Sequence, residues 1–170
     1  MADAAATPIW DFVLNYYGRK GVSEALIGLQ DSQGIDVNML LFLMWMAAQK
    51  KSVAADDIKV VSETSHPWQR SVVVPIRAVR RLLKDNAPLV AADAAAAFRK
   101  KVQAIELEGE QLQLNAMAGL AARLKPVTAA TQESAARQSI KAFESAAAKT
   151  FPAVTVDTLA GALVEVTDGR

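Results

Sequence analysis

The sequence predicts an all-α fold, a single-domain bundle of about seven to eight helices over residues 1–170. Three observations lead to this prediction. Apolar residues recur at helical spacing along most of the chain, residues typical of helix ends separate these segments, and alanine is abundant after Ala87. We expect a compact N-terminal half, about residues 8–86, and an extended alanine-rich C-terminal half, about residues 88–165.

The first two helices are predicted from their caps and their apolar spacing. Thr7 and Pro8 open the first helix, which should end near Gly18. The second helix covers about residues 22–33 and stops at Gly34, a residue that readily adopts the left-handed backbone of a helix end.

The third helix, about residues 37–49, is predicted to be the fully apolar centre of the bundle. Asp36 caps it, and its residues are apolar on every side, which is typical of a helix surrounded by protein. Its apolar run, from Met39 to Ala48, is much shorter than the roughly 20 residues of a membrane span. We therefore predict no membrane span.

Two prolines are predicted to change the course of the next helices. Ser52 is predicted to cap a short fourth helix that ends near Thr64, and Pro67 breaks it and begins a basic helix over about residues 67–85. Pro75 lies inside that helix and predicts a kink. The β-branched residues before Pro75 also allow a strand, but helical spacing persists on both sides of the proline and favours the helix.

The basic helix carries two opposed stripes at helical spacing. The apolar stripe is predicted to pack on the core and consists of Trp68, Val72, Ile76, Val79 and Leu83. The basic side is the candidate partner or anion-binding surface and contains Arg70, Arg77, Arg80, Arg81 and Lys84. Arginines at these spacings can clamp a phosphate group with two hydrogen bonds each.

The basic side has several interpretations. It could be a solvated face, or it could pair inside the chain with Glu106, Glu108 and Glu110. It could also bind an acidic protein partner, or nucleic acid or a phosphorylated ligand. The first two interpretations are favoured over an acidic partner, and an acidic partner over nucleic acid.

A long helix, about residues 88–124, is predicted to be apolar on two sides. One side contains Phe98, Val102, Ile105, Leu112, Ala116 and Leu120. The reverse side is the candidate self-association face and contains Ala104, Leu107, Leu114 and Ala118. A second copy of the chain would cover that face if the two remaining helices do not. Those helices are predicted over about residues 131–149 and after a cap at Thr155.

Composition narrows the function classes. Positive and negative side chains are nearly balanced, 19 against 18, so the overall charge does not indicate nucleic acid or an anionic membrane as a partner. The chain has no cysteine, which excludes disulfides, thiolate nucleophiles and zinc sites built on sulfur. The acidic start lacks the positive segment of a secretory signal, so we expect a cytoplasmic protein.

No group of residues in the sequence indicates catalysis. His66 has no evident partner and is interpreted as a helix-boundary residue. The pair Asp56–Asp57 resembles magnesium diphosphate sites, but no second acidic motif accompanies it, and first-turn acids are favoured by the helix dipole. Trp10, Trp45 and the nearby methionines are interpreted as core rather than as a lipid-like pocket. We predict no catalytic residue, no metal site and no cofactor.

Several motifs in the N-terminal two thirds carry a resemblance to a known family. They are Trp10 with Phe12, Leu29-Gln30-Asp31, Gly34-Ile35-Asp36-Val37-Asn38, Leu40-Leu41-Phe42, Trp45, Trp68, Val73-Val74-Pro75, Arg77, Arg80-Arg81, Leu83-Lys84 and Glu106-Leu107-Glu108. Between Pro8 and Gln113 the chain resembles a family of short proteobacterial proteins, a domain of unknown function. The resemblance implies a bacterial cytoplasmic setting and brings no catalytic residue with it.

The sequence therefore favours association over catalysis. We expect a non-enzymatic helical adaptor or regulatory protein, with a protein partner, acidic if it meets the basic side, and with self-association through the long helix. One alternative is an enzyme or carrier for an anionic or isoprenoid-like small molecule, which predicts a pocket that holds His66, acidic residues and arginines together. A second alternative is a nucleic-acid-binding accessory protein.

Overall fold

The computed structural model describes residues 8–85 and 89–167. Its helices, in chain order, are α1 (Pro8–Tyr17), α2 (Val22–Gln33), α3 (Val37–Ala48), α4 (Ala55–Trp68), α5 (Val74–Asp85), α6 (Ala92–Leu120), α7 (Gln132–Ala147) and α8 (Ala153–Thr167). Two short strands, β1 (Lys51–Ser52) and β2 (Val127–Thr128), accompany them. The predicted all-α class is confirmed. The predicted cap Thr7 and the predicted start of the long helix at residue 88 lie outside the described residues.

The junctions between α1, α2 and α3 follow from local residues. Gly34 adopts a left-handed backbone with φ of 67° and ends α2, where its N–H donates to the Gln30 carbonyl. The Asp36 carboxylate accepts a hydrogen bond from the Asn38 N–H at 3.0 Å and so caps α3. Both predicted helix ends are confirmed.

α3 lies at the centre of the bundle. It contacts α1, α2, α6, α7 and α8. Its buried apolar residues are Met39, Leu40, Leu41, Phe42, Leu43, Met44, Met46 and Ala47. A helix that is apolar on all sides can bury them only when neighbours surround it, and these come from both halves of the chain. Within residues 8–85 and 89–167, no helix has the length and apolarity of a membrane span.

The predicted break at Pro67 is wrong. α4 continues through Pro67, and a π-helical turn, Gln69–Val73, joins it to α5 without interruption. In this turn the Val74 N–H donates to the Gln69 carbonyl, five residues back. Pro67 and Pro75 supply no N–H group, so the α-helical hydrogen bonds weaken on both sides, and the wider turn accommodates an extra residue there. The preference for helix over strand around Pro75 is confirmed.

A small antiparallel ladder joins the segment before α4 to the segment before α7. Lys51 pairs with Thr128, and Ser52 pairs with Val127. The predicted capping of α4 by Ser52 is wrong, because the backbone of Ser52 belongs to β1 and α4 begins later, at Ala55. The Ser52 hydroxyl instead donates to the Val127 carbonyl at 3.2 Å.

The C-terminal helices begin differently from one another. Thr131 and Ser134 form a capping box at the start of α7, because the side chain of each accepts from the backbone N–H of the other. The predicted cap Thr155 is wrong. α8 begins at Ala153, and the Pro152 carbonyl already accepts hydrogen bonds from the N–H groups of its first turn.

A buried hydroxyl holds the segment before α4. Ser139 on α7 is fully buried, and its hydroxyl accepts a hydrogen bond from the Val53 N–H at 3.0 Å. We expect Ser139→Ala to lower the free energy of unfolding by about 1–3 kcal/mol, because the Val53 N–H would lose its buried partner. Urea denaturation measures this. Ser145→Ala, at an exposed position of the same helix, is the matched control, and equal effects of the two changes would contradict the expectation.

Candidate functional site

A cleft of about 490 Å³ opens between the N-terminal helices and the hairpin formed by α5 and α6. The residues that line it, called the cleft residues below, are Trp10, Val13, Leu14, Tyr17, Gly18, Ile27, Gln30, Val37, Asn38, Leu41, Arg77, Arg80, Gln103, Glu106, Leu107, Glu110 and Leu114. Small-molecule sites in proteins commonly have this volume and a mainly apolar wall with a few polar groups.

α1 supplies the aromatic wall of the cleft. Trp10, Val13, Leu14 and Tyr17 follow the i, i+3, i+4, i+7 spacing and therefore share one face of the helix. Val13 is buried, Trp10 and Tyr17 are half-buried, and Leu14 is exposed. The face thus extends from the core to an open apolar rim.

A network of two arginines and two glutamates forms the charged wall of the cleft. Arg77 donates from Nε to Glu106 Oε1 at 2.8 Å and from Nη2 to Glu110 Oε1 at 2.6 Å. Arg80 donates from Nη2 to Glu106 Oε1 at 3.2 Å and from Nε to Glu106 Oε2. Glu106 therefore joins both guanidinium groups of α5 to α6, and its side chain is only 6% exposed.

The two glutamates have opposite pKa shifts. Burial raises the pKa of Glu106, but hydrogen bonds from Arg80 and Arg77 outweigh burial and leave it below its ordinary value. Burial dominates at Glu110 and holds its pKa above the ordinary value, although Arg77 opposes this. Glu106 is thus the firmly ionised partner of the arginines, and Glu110 is the carboxyl group that takes up a proton more readily.

A buried polar chain lies behind this wall. The Gln113 amide donates from Nε2 to Asp36 Oδ2 at 2.9 Å and accepts at Oε1 from Asn38 Nδ2 at 2.8 Å. Burial raises the pKa of Asp36, although the hydrogen bonds from Gln113 and Asn38 oppose this. These hydrogen bonds fix the start of α3 against α6. They also place a third carboxyl group, that of Asp36, near the network.

The cleft residues fall in a part of the chain that matches a known family. Residues 8–117 match the family model described as Protein of unknown function (DUF2390). The chain belongs to this family. The resemblance predicted from the motifs between Pro8 and Gln113 is confirmed, and every cleft residue lies inside the matched part. Neither a curated protein nor a solved structure matches the chain.

Many residues that carry the resemblance to the DUF2390 family come together at the cleft. Those that line it are Trp10, Gln30, Val37, Asn38, Leu41, Arg77, Arg80, Glu106 and Leu107. They derive from α1, α2, α3, α5 and α6, which are far apart in the sequence. Trp10, interpreted as core, does pack against the core, and its half-buried side chain also lines the cleft.

The basic side predicted in this DUF2390 chain does not form one surface. Arg77 and Arg80 are partly buried in the network, with side chains 12% and 23% exposed. Arg81 is exposed and pairs with Asp31 of α2 at 2.7 Å, while Arg70 and Lys84 are exposed. The five cations therefore do not share one outward surface. Of the interpretations that the sequence left open, internal pairing with Glu106 and Glu110 describes Arg77 and Arg80.

The π-helical turn explains why the buried side differs from the predicted one. Its extra residue rotates the positions that follow by up to about 100° relative to an uninterrupted α-helix. The buried or half-buried side of the α4–α5 helix now includes Gln69, Val73, Arg77 and Arg80. Of the predicted core stripe, Val72, Ile76 and Leu83 are half-buried, whereas Trp68 and Val79 are 39% and 45% exposed.

The predicted self-association face of α6 is also wrong as a surface. Leu114 is fully buried and Ala118 is half-buried, because this side of α6 packs on the N-terminal helices. Only Ala104 and Leu107 of the predicted face are exposed.

An apolar surface lies elsewhere on α6. Phe98, Ile105 and Leu112 are spaced seven residues apart and are 54%, 54% and 51% exposed. We call these three residues the hairpin face. A groove of about 310 Å³ adjoins Leu112 and is lined by Trp68, whose indole N–H donates to the Gly109 carbonyl at 2.9 Å.

The other candidate residues remain apart from the cleft. His66 is exposed near the end of α4 and is not a cleft residue. Asp56 is exposed and pairs with Lys59 at 3.8 Å, and Asp57 accepts from the Lys125 N–H at 2.9 Å. In the part of the chain that the structure describes, no group of three or more histidine, cysteine or acidic residues could hold a metal ion.

Proposed function

We propose that this DUF2390 protein is a non-enzymatic adaptor or regulatory protein that acts through association, and that the hairpin face binds a second copy of the chain. The observation that carries the proposal is the row of three large apolar side chains, each about half exposed and spaced one heptad apart on a long helix. Such a row is typical of helix–helix association, because successive heptad positions face the same partner.

The charges beside the hairpin face favour an antiparallel pair. Lys101 and Glu108 are exposed on one edge of the row, four residues before and three residues after Ile105. A two-fold axis at Ile105 places Phe98 opposite Leu112 of the second copy and Lys101 beside Glu108 of the second copy. In a parallel pair, Lys101 would instead lie level with Lys101 of the second copy, and Glu108 with Glu108. The antiparallel interface is therefore self-complementary in charge and in apolar contact.

We expect Ile105→Glu to convert a dimer to a monomer. It would place two carboxylates at the two-fold axis, whereas Ile105 is half exposed in one copy and should tolerate the change. Light scattering during size-exclusion chromatography, over about 1–100 μM protein, measures the mass. Val154→Glu, at an exposed apolar position of α8, is the matched control and should leave the mass unchanged. A wild-type chain that stays monomeric over this range would contradict the proposal.

Exchange of the two charges tests the antiparallel order independently. Lys101→Glu and Glu108→Lys should each weaken the dimer, because each leaves like charges adjacent across the interface. The double variant should regain most of the dimer, because the pairs re-form with reversed sign. A double variant weaker than either single variant would contradict this order.

Two earlier alternatives have less support. Arg77, Arg80 and Arg81 are paired with carboxylates, so a nucleic acid would have to compete for three of the five predicted cations. A pocket that holds His66 together with acidic residues and arginines would have favoured an enzyme or carrier of anionic molecules, and the cleft holds the charged residues without His66. The bacterial cytoplasm stays the predicted setting, on the basis of the resemblance.

A further inference from the structure

The charges around the cleft are acidic in balance. Glu106, Glu110 and Asp36 supply three carboxyl groups, whereas the network contributes only the two guanidinium groups of Arg77 and Arg80. Burial, Glu110 and Glu24 of α2 all raise the pKa of the Tyr17 hydroxyl. The lining itself is balanced, with Glu106 and Glu110 against Arg77 and Arg80. Asp36 and Glu24 do not line the cleft, but both lie near enough to add negative charge around it.

The arginines of the network are already occupied. Each guanidinium group donates two hydrogen bonds to glutamate oxygens, and Glu106 holds both. An anionic ligand could use only the N–H donors that the glutamates leave free, and it would then lie beside the carboxylates of Glu106 and Glu110. If it took the donors that Glu106 accepts from, Glu106 would stay buried without a partner, which is costly. The cleft thus disfavours carboxylates and phosphates.

The Glu110 carboxylate has acceptor capacity that the network does not use. Its Oε1 accepts from Arg77, and no hydrogen bond from another described residue reaches its carboxylate. Its side chain is 24% exposed and lines the cleft, four residues from Glu106. Trp10, Leu14 and Tyr17 of α1 line the same cleft, and burial together with the nearby Glu110 carboxyl raises the pKa of the Tyr17 hydroxyl. A cation held at Glu110 would share the cleft with the rings of Trp10 and Tyr17, and aromatic rings attract cations at close range.

We propose that the cleft is a binding site for a ligand that carries an ammonium group on an apolar body. The ammonium group binds Glu110, and the apolar body packs against Trp10, Leu14, Tyr17 and Leu107. The ammonium group can belong to a free amine or to the side chain of a lysine residue. The site is separate from the hairpin face, because Leu107 and Ile105 are two residues apart on α6 and so point about 160° apart.

Three matched probes test the charge of the ligand. Hexylammonium, hexanol and hexanoate have similar chains and differ in the head group. With the full chain, isothermal titration or chemical-shift titration should show hexylammonium binding at least about tenfold tighter than hexanol, and hexanoate weakest. Acetyl-lysine-methylamide, with its free ε-ammonium group, distinguishes a lysine side chain from a free amine. Binding of either ammonium probe with this preference supports the proposal, and hexanoate binding as tight as hexylammonium overturns it.

A matched pair of variants tests the role of Glu110. Glu110→Gln should weaken hexylammonium binding at least about tenfold and leave hexanol binding nearly unchanged, because it removes the charge and keeps the size. Glu63→Gln, at an exposed position of α4 away from the cleft, should change neither. Leu14→Arg at the exposed rim, which does not disturb the network, should block all three probes. Hexylammonium affinity that survives both Glu110→Gln and Leu14→Arg would overturn the proposal.

The pH dependence gives a further readout. The charged groups that face Glu110 are Arg77 from α5, Glu106 on α6, Asp36 before α3 and the Tyr17 hydroxyl from α1. Burial raises the pKa of Glu110, so it takes up a proton at a higher pH than an ordinary glutamate. Hexylammonium binding should therefore weaken as the pH falls from about 7.5 to 5.5, and less so in Glu110→Gln. An equal pH response in both proteins would count against the proposal.

Discussion

Glu106→Ala should lower the free energy of unfolding by about 3–5 kcal/mol, the range typical when one partner of a buried ion pair is removed. The change would leave Arg80 without a described carboxylate partner and Arg77 with only Glu110. Both guanidinium groups would stay mostly shielded from water, since their side chains are 23% and 12% exposed. Urea denaturation at neutral pH measures the loss.

The effect of Glu106→Ala should also depend on pH. The pKa of Glu106 lies below its ordinary value in the folded chain, so its ionisation stabilises the fold at pH values above the ordinary pKa of glutamate. This stabilisation is lost as the pH falls through the lowered pKa. The difference between wild type and Glu106→Ala should therefore shrink in acid.

An exposed glutamate in a similar network serves as the control for Glu106. Glu133 pairs with Arg137 at 2.8 Å on the surface, where the two side chains are 43% and 42% exposed. Glu133→Ala should cost at most about 1 kcal/mol, because water replaces the lost partner. If Glu106→Ala cost no more than Glu133→Ala, the network would be solvated, and the described burial of Glu106 would be wrong.

Leu114→Ala should cost about 2–5 kcal/mol, the range for a fully buried leucine that leaves a cavity. Leu114 is 0% exposed and lies between α6 and the N-terminal helices. Leu112, on the same helix, is 51% exposed, so Leu112→Ala should cost less than about 1 kcal/mol in the monomer. Urea denaturation at low protein concentration compares them.

The same pair of leucines separates stability from association. Leu112→Ala should weaken the dimer, because Leu112 belongs to the hairpin face, while Leu114→Ala should weaken the fold of each copy. Equal losses of stability would contradict the orientation of α6. If Leu112→Ala left the dissociation constant of the dimer unchanged, this would contradict the proposed interface.

Part of the local structure could be predicted, although the caps Ser52 and Thr155 and the break at Pro67 were wrong. The end of α2 at Gly34 and the cap Asp36 depend on residues directly at the helix end. The burial of α3 follows from a run of residues that is apolar all round. These features need no knowledge of which helices are neighbours.

The candidate site could be predicted only in part. Arg77 and Glu106 were recognisable as possible partners from their charges, but nothing in the spacing of residues so far apart selects Glu106 and Glu110 over Glu108. The face of α1 that contains Trp10 and Tyr17 has the spacing of an ordinary core helix. Its role in the cleft depends on the gap that α5 and α6 leave beside it.

The sequence by itself determined that the chain is helical, where most helices begin or end, and which helix is surrounded by protein. These properties follow from backbone propensity, capping and apolar periodicity, which act over a few residues. Only the tertiary structure decided which side of the α4–α5 helix is buried and which side of α6 is open. The physical reason is that one extra residue in a π-helical turn changes the rotation of α5 about its axis. Carboxylates on the neighbouring helix then pair with the arginines on the side that is buried.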